Sequence, residues 1–107
     1  MATYGILGTQ TKPAATTLTT LVTGSTNGSV ISSFEACNTT GSSDSIRVAL
    51  TPSGGTTAAA NYVRYDFVVP ANSTLSIQAG WTLGNGETLK VYSTNGNVAF
   101  TATGSVL

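Results

Sequence analysis

Histidine is absent from the 107 residues, cysteine occurs once, and Asp, Glu, Lys and Arg together make up 7% of the chain with a net charge of zero. These shortages remove most of the groups that perform acid/base catalysis, ligate metals or clamp phosphates. A single cysteine, Cys37, allows no internal disulfide and reads as a buried small apolar residue. No apolar run approaches the roughly 18 residues that cross a bilayer, so no membrane association is expected. The opening residues 1–8 carry neither a basic region nor an apolar stretch, so no secretory signal is expected.

What is present is hydroxyl and turn chemistry. Thr and Ser account for 32 residues and Gly for 12. Leu, Ile, Val and Phe form about 22% of the chain, enough for one domain to fold without a metal or disulfide staple. A neutral surface is poorly protected against association, which suits a subunit of an assembly.

Apolar residues recur with period two between turn-forming clusters, the pattern of a β-strand protein. The apolar beats are Val30, Ser32, Phe34 and Ala36; Ile46, Val48 and Leu50; Val63, Tyr65, Phe67 and Val69; Leu75 and Ile77; Leu89 and Val91; Val98, Phe100 and Ala102. Leu18–Thr23 adds a leading strand. The prediction is all-β: a single antiparallel β-sandwich, jelly-roll or immunoglobulin-like, of about seven strands over residues 18–107. Asn85-Gly86 and Asn95-Gly96 are the strongest hairpin signals. Only Thr56–Ala60 allows a turn of helix. Residues 1–17 lack alternation and contain Pro13, and read as an extended N-terminal arm. That arm is a frayed terminus, a strand laid on its own sheet, or a contact to a neighbouring subunit, with Tyr4, Ile6 and Leu7 as apolar anchors and Lys12 behind them.

The carboxylates are Glu35, Asp44, Asp66 and Glu87. A glycosidase needs two held about 5–9.5 Å apart in one cleft. Asp44 and Glu87 lie beside turns and read as solvated, while Glu35, Arg47, Arg64 and Asp66 read as a structural set of cross-strand ion pairs. A serine nucleophile has no histidine to activate it, so no catalytic residue is assigned and the chain reads as a non-enzyme. One carboxylate in the Asn38–Asp44 loop is a poor calcium site, and neither a metal nor a cofactor is expected. Lys12, Arg47, Arg64 and Lys90 are too scattered for nucleic acid. Trp81 is the side chain that invites a binding role, as a packed edge residue, a subunit contact or a sugar platform. Tyr62 and Tyr92 invite the same question.

The segments Ala2-Thr3-Tyr4-Gly5-Ile6-Leu7-Gly8, Ala14-Ala15-Thr16-Thr17-Leu18-Thr19-Thr20-Leu21, Val30-Ile31-Ser32-Ser33 and Cys37-Asn38-Thr39 follow one another in a characteristic order. So do Ile46-Arg47-Val48-Ala49, Tyr62 with Tyr65-Asp66, Pro70-Ala71-Asn72-Ser73-Thr74, Gly86-Glu87, Val91-Tyr92-Ser93 and Asn97-Val98-Ala99-Phe100. In order and spacing the chain resembles a family of small β-rich virion proteins of tailed bacteriophages. Where relatives tend to carry a Tyr-Thr-Val-Pro-Ala-Gly-Lys type segment, this chain has Leu21-Val22-Thr23-Gly24-Ser25-Thr26-Asn27-Gly28, without the proline and the basic residue. A partner contact through that loop therefore loses its basis. The resemblance implies a virion structural protein made in the cytoplasm of a bacterial host. It would bind other virion proteins in many copies or as a homo-oligomer, decorating a capsid or serving as a tail, neck or fibre accessory with a receptor- or glycan-binding role.

Overall fold

The computed structural model describes residues 3–107; Met1 and Ala2, part of the expected arm, lie outside the described residues. Nine strands follow one another: β1 (Thr3–Thr11), β2 (Thr19–Thr23), β3 (Ser29–Asn38), β4 (Asp44–Thr51), β5 (Tyr62–Val69), β6 (Thr74–Ile77), β7 (Trp81–Leu83), β8 (Thr88–Ser93) and β9 (Val98–Val106). One 3-10 turn, Ala59–Asn61, precedes β5. It is closed by Asn61, whose N–H donates to the Ala58 carbonyl at 2.9 Å and whose Oδ1 accepts from the Ala58 N–H at 2.7 Å.

Two antiparallel sheets result. The first runs β1-β9-β3-β6, with β7 pairing the other half of the same β3 edge, so β6 and β7 are two pieces of one interrupted strand. The second runs β2-β8-β4-β5. Apart from the β4–β5 hairpin and the β6–β7 interruption, every connection passes from one sheet to the other. This alternation is the jelly-roll order and resolves the choice against an immunoglobulin-like sandwich. The count exceeds the seven strands expected, because β1 and the three-residue β7 also enter the sheets. Asn85-Gly86 and Asn95-Gly96 do make turns, with Gly86 at φ +80° and Gly96 at φ +74°. They join strands of opposite sheets rather than paired hairpin arms.

The inward faces form one core of Ile31, Phe34, Ile46, Val48, Leu89, Val91, Val98 and Phe100, all fully buried. Each such side chain contributes roughly 1.5–3 kcal/mol of transfer free energy. Phe34 stands at its centre, with ring centroids 5.9 Å from Phe100 and 5.7 Å from Trp81. Trp81 is thus a packed residue at the margin of the core, half-buried rather than presented to solvent.

Two irregularities reset the inward alternation. In β3 the register slips between Ile31 and Ser33, so Ile31 enters the core while Val30 and Ser32, expected on the Phe34 beat, do not. The slip coincides with Gly104 of β9, which faces Ile31 and where a β carbon would lie 1.9 Å from the Val30 carbonyl oxygen. In β1, Gly8 has φ +63° and would place a β carbon 1.9 Å from the Leu21 carbonyl oxygen, so only glycine lets β1 pass this close to β2.

Residues 3–11 are extended and laid along β9, from Thr3 opposite Val106 to Thr11 opposite Phe100. Leu7 is 4% exposed and belongs to the core, and Pro13 is also buried. Residues 3–11 of the segment read as an extended arm are therefore an edge strand of the sandwich.

Candidate functional site

The carboxylates are dispersed. Asp44, expected to be solvated, is buried at 3% exposure. Its Oδ1 accepts from the N–H groups of Ser45 (2.7 Å) and Asn95 (2.9 Å), and its Oδ2 from the Ser93 hydroxyl (2.5 Å) and the Asn97 N–H (3.1 Å). Burial pushes its pKa upward, but these four donors outweigh it and hold the group below its ordinary value. Asp44 is thus a structural anion pinning the β8–β9 turn. Asn38 plays the neighbouring part, donating to the Ser42 and Val69 carbonyls at 2.8 and 3.0 Å while its Oδ1 accepts from Thr40. Glu87 Oε1 accepts from the Gly84 N–H at 2.5 Å, bracing the β7–β8 turn.

Glu35 lies in the first sheet and accepts from the Ser76 hydroxyl across β3 and β6. It is therefore in the other sheet from Arg47 and Asp66, and the four-member ion-pair set reduces to one pair. Arg64 instead donates to the neighbouring Val63 carbonyl at 2.7 Å. Among the described residues, no group of three His, Cys, Asp or Glu side chains is arranged to hold a metal, and no helix is long and apolar enough to cross a membrane.

The densest polar and aromatic cluster lies on the outer face of the second sheet. Arg47 is flanked in β4 by the fully buried Ile46 and Val48, so alternation turns its side chain outward. Phe67 pairs with Ile46 and Arg64 with Val48, leaving Tyr65 and Asp66 both opposite Arg47 in a β-bulge. Asp66 takes φ +51°, a conformation that Asp tolerates better than most residues. The bulge interrupts the expected Tyr65–Phe67 alternation, and the Asp66 carboxylate accepts from Arg47 Nε and Nη2 at 2.7 and 3.4 Å. The guanidinium carbon stands 4.2 Å from the Tyr65 ring centroid and 4.6 Å from that of Tyr92, its cross-strand partner in β8. Hydrogen bonding to Asp66 holds the Arg47 pKa above its ordinary value, against a smaller opposing effect of desolvation.

Tyr62 meets Tyr65 edge-on at 5.0 Å between centroids. The two rings, with Thr57, Ala58 and Ala59, line an open cleft of about 470 Å³ beside the Arg47–Asp66 pair. A second groove of about 350 Å³, where β5 turns into β6, is lined by Phe67, Val68, Val69, Pro70, Thr74 and Leu75. Tyr65, Phe67 and Val68 are 58%, 42% and 59% exposed. Phe67 and Val68 were not singled out from the sequence, where they read as ordinary members of an alternating strand.

At the opposite lateral edge, β1 presents Tyr4 at 78% and Ile6 at 59% exposure. Leu7 points into the core, and Lys12 is exposed just beyond the strand. The five residues read as an interface set are therefore divided among three environments: Tyr4, Ile6 and Lys12 accessible, Leu7 buried, and Trp81 packed on Phe34. No protein-family model, curated protein or solved structure matches the chain.

Proposed function

We propose that this chain is a non-enzymatic structural subunit of a tailed-bacteriophage particle, decorating the capsid by binding other virion proteins in many copies. The observation that carries the reading is the exposure of apolar side chains at both lateral edges of a neutral jelly roll: Tyr4 and Ile6 on β1, and Tyr65, Phe67 and Val68 on β5. A module with adhesive edges on two sides can bridge neighbours, and many weak contacts become effective through multivalency. Jelly rolls serve capsids, lectins and cupins alike, so the fold supports the reading only by analogy. The resemblance of the sequence to small virion proteins supplies the rest. Cryo-electron microscopy of the particle tests it. Density for this chain over the head lattice is the expected result, and density on tails alone overturns the decoration role.

A second reading, a tail, neck or fibre accessory that binds a receptor glycan, is favoured by the Tyr62–Tyr65 cleft beside the Arg47–Asp66 pair. Aromatic rings next to a bidentate polar pair suit a sugar's apolar face and hydroxyls. Glycan-array binding that disappears in Tyr65→Ala would support this reading; an array without signal for the folded wild type would remove it.

A further inference from the structure

A sheet edge is a row of unpaired backbone donors and acceptors, and proteins blunt such edges with short strands, bulges, charges or proline. Three of the four edges here are blunted. β2 has five residues and a register shift between Thr20 and Val22. β5 has two register shifts, carries Arg64 and Asp66, and holds Asp66 at positive φ. The remaining edge of the first sheet is broken into the four-residue β6 and the three-residue β7. β1 differs: its nine residues, Thr3-Tyr4-Gly5-Ile6-Leu7-Gly8-Thr9-Gln10-Thr11, contain no charge and no proline, and although its register with β9 shifts between Leu7 and Thr11, where Gly8 takes φ +63°, the pairing is unshifted over the five residues from Thr3 to Leu7.

We propose that β1 pairs antiparallel with β1 of a second copy of this chain, about a two-fold axis at Gly5, joining two first sheets into one continuous sheet. The pairing rests on the assembly reading given above, for which it names the partner and the mode of contact.

The register follows from the strand itself. An axis at Gly5 sets Tyr4 of each copy opposite Ile6 of the other, and Thr3 opposite Leu7. Tyr4 and Ile6 lie two apart, on one face of the strand, and both are exposed in the single chain. Their pairing makes two aromatic–β-branched contacts, a favourable cross-strand combination. Gly5 puts no side chain at the axis and takes φ +144°, a conformation open to glycine. With no charge along β1, two copies meet without repulsion, and Lys12 lies outside the paired residues. An isologous contact of this kind closes after two copies and so leaves no free edge of the same type.

The test is the mass of the purified full chain in solution by light scattering after gel filtration, with sedimentation equilibrium for the dissociation constant. The expected species is twice the 10.8 kDa monomer. The double variant Tyr4→Lys/Ile6→Lys is expected to weaken dimerisation by at least about 100-fold, since like charges then face each other across the ladder. Its melting temperature and β-type circular dichroism should stay at wild-type values, because both side chains are exposed. Tyr65→Lys, at the opposite edge, should leave the dimer intact. A wild type that is monomeric up to about 1 mM, or a dimer retained in the Tyr4/Ile6 variant and lost in Tyr65→Lys, overturns the proposal. The two readings fail separately. A monomer found on phage heads overturns self-pairing and leaves the virion role standing; a β1-dependent dimer absent from particles does the reverse.

Discussion

Replacing Gly104 by alanine should be among the most damaging single-methyl additions available to this fold. The added carbon would lie 1.9 Å from the Val30 carbonyl oxygen, 2.9 Å from its carbon and 3.0 Å from the Ser32 nitrogen. Carbon–oxygen contacts between strands settle near 3.3 Å or beyond, so the shortfall is about 1.4 Å. Every opposing atom is backbone, and no side chain can rotate away. β9 must therefore shift, or the bulge at Ser32 must open, and Gly104 is paired to Gly5 on one side and Ile31 on the other. Overpacking costs about 1–3 kcal/mol, and loosening two ladder hydrogen bonds adds about 1–3 kcal/mol. The expected loss of about 2–6 kcal/mol is a large part of the roughly 5–15 kcal/mol that holds a domain folded. Urea denaturation followed by Trp81 fluorescence measures it. A melting temperature lower by about 8 °C or more should accompany it. Gly41→Ala is the matched control, because a β carbon there meets nothing within 4 Å and the residue is not at positive φ. It should cost nothing, and by restricting the unfolded chain it should gain a few tenths of a kcal/mol. A Gly104→Ala protein within about 0.5 kcal/mol of wild type, or a Gly41→Ala protein equally damaged, refutes the steric argument.

Asp44→Asn should destabilise the fold by roughly 1.5–3 kcal/mol at neutral pH, because hydrogen bonds to a charged acceptor are weakened. The Asp44 pKa is depressed on folding, so its contribution is present above the ordinary value of 3.8 and lost as pH falls through the folded value. Unfolding curves from pH 7 to pH 2 should show the gap between wild type and variant closing in acid; a gap constant to pH 2 contradicts this. Leu7→Ala should cost about 2–5 kcal/mol, as for any core leucine, whereas a detached arm would lose nothing. Phe34→Ala should cost about 3–5 kcal/mol and red-shift Trp81 emission, since it removes the ring against which the indole packs; an unshifted spectrum would place Trp81 elsewhere.

The sandwich was legible because seven apolar sets alternate with period two and turn residues separate them. The errors cluster where distant residues intervene. Val30 rather than Ile31 read as a core residue because the β3 bulge depends on Gly104, more than 70 positions away. Tyr65 and Phe67 read as one face because nothing local announces that Asp66 adopts a left-handed conformation. Asp44 read as a solvated turn residue, since its donors Ser93, Asn95 and Asn97 belong to a different turn 49 to 53 positions along. Of the four ionisable residues grouped from their spacing, Arg47 and Asp66 do pair, while Glu35 falls in the opposite sheet. Membership of seven of the nine strands followed from local pattern; β1, β7 and the division between the two sheets did not.

The placement of β8 and β9 bears on how this chain comes to be folded. β8 lies between β2 and β4, and β9 between β1 and β3. Among the described residues neither β1 nor β2 has another strand partner, so both sheets wait for the last two of these nine strands. During synthesis the β4–β5 hairpin and the pairing of β3 with β6 and β7 can form early, but they expose apolar faces with nothing yet to cover them. Completion then demands ladders that reach from Thr3 to Val106, the kind of non-local pairing that places β-proteins in the millisecond-to-second range. Truncation after β7 should accordingly yield an aggregating fragment rather than a smaller stable domain, with the two sheets completed together or not at all.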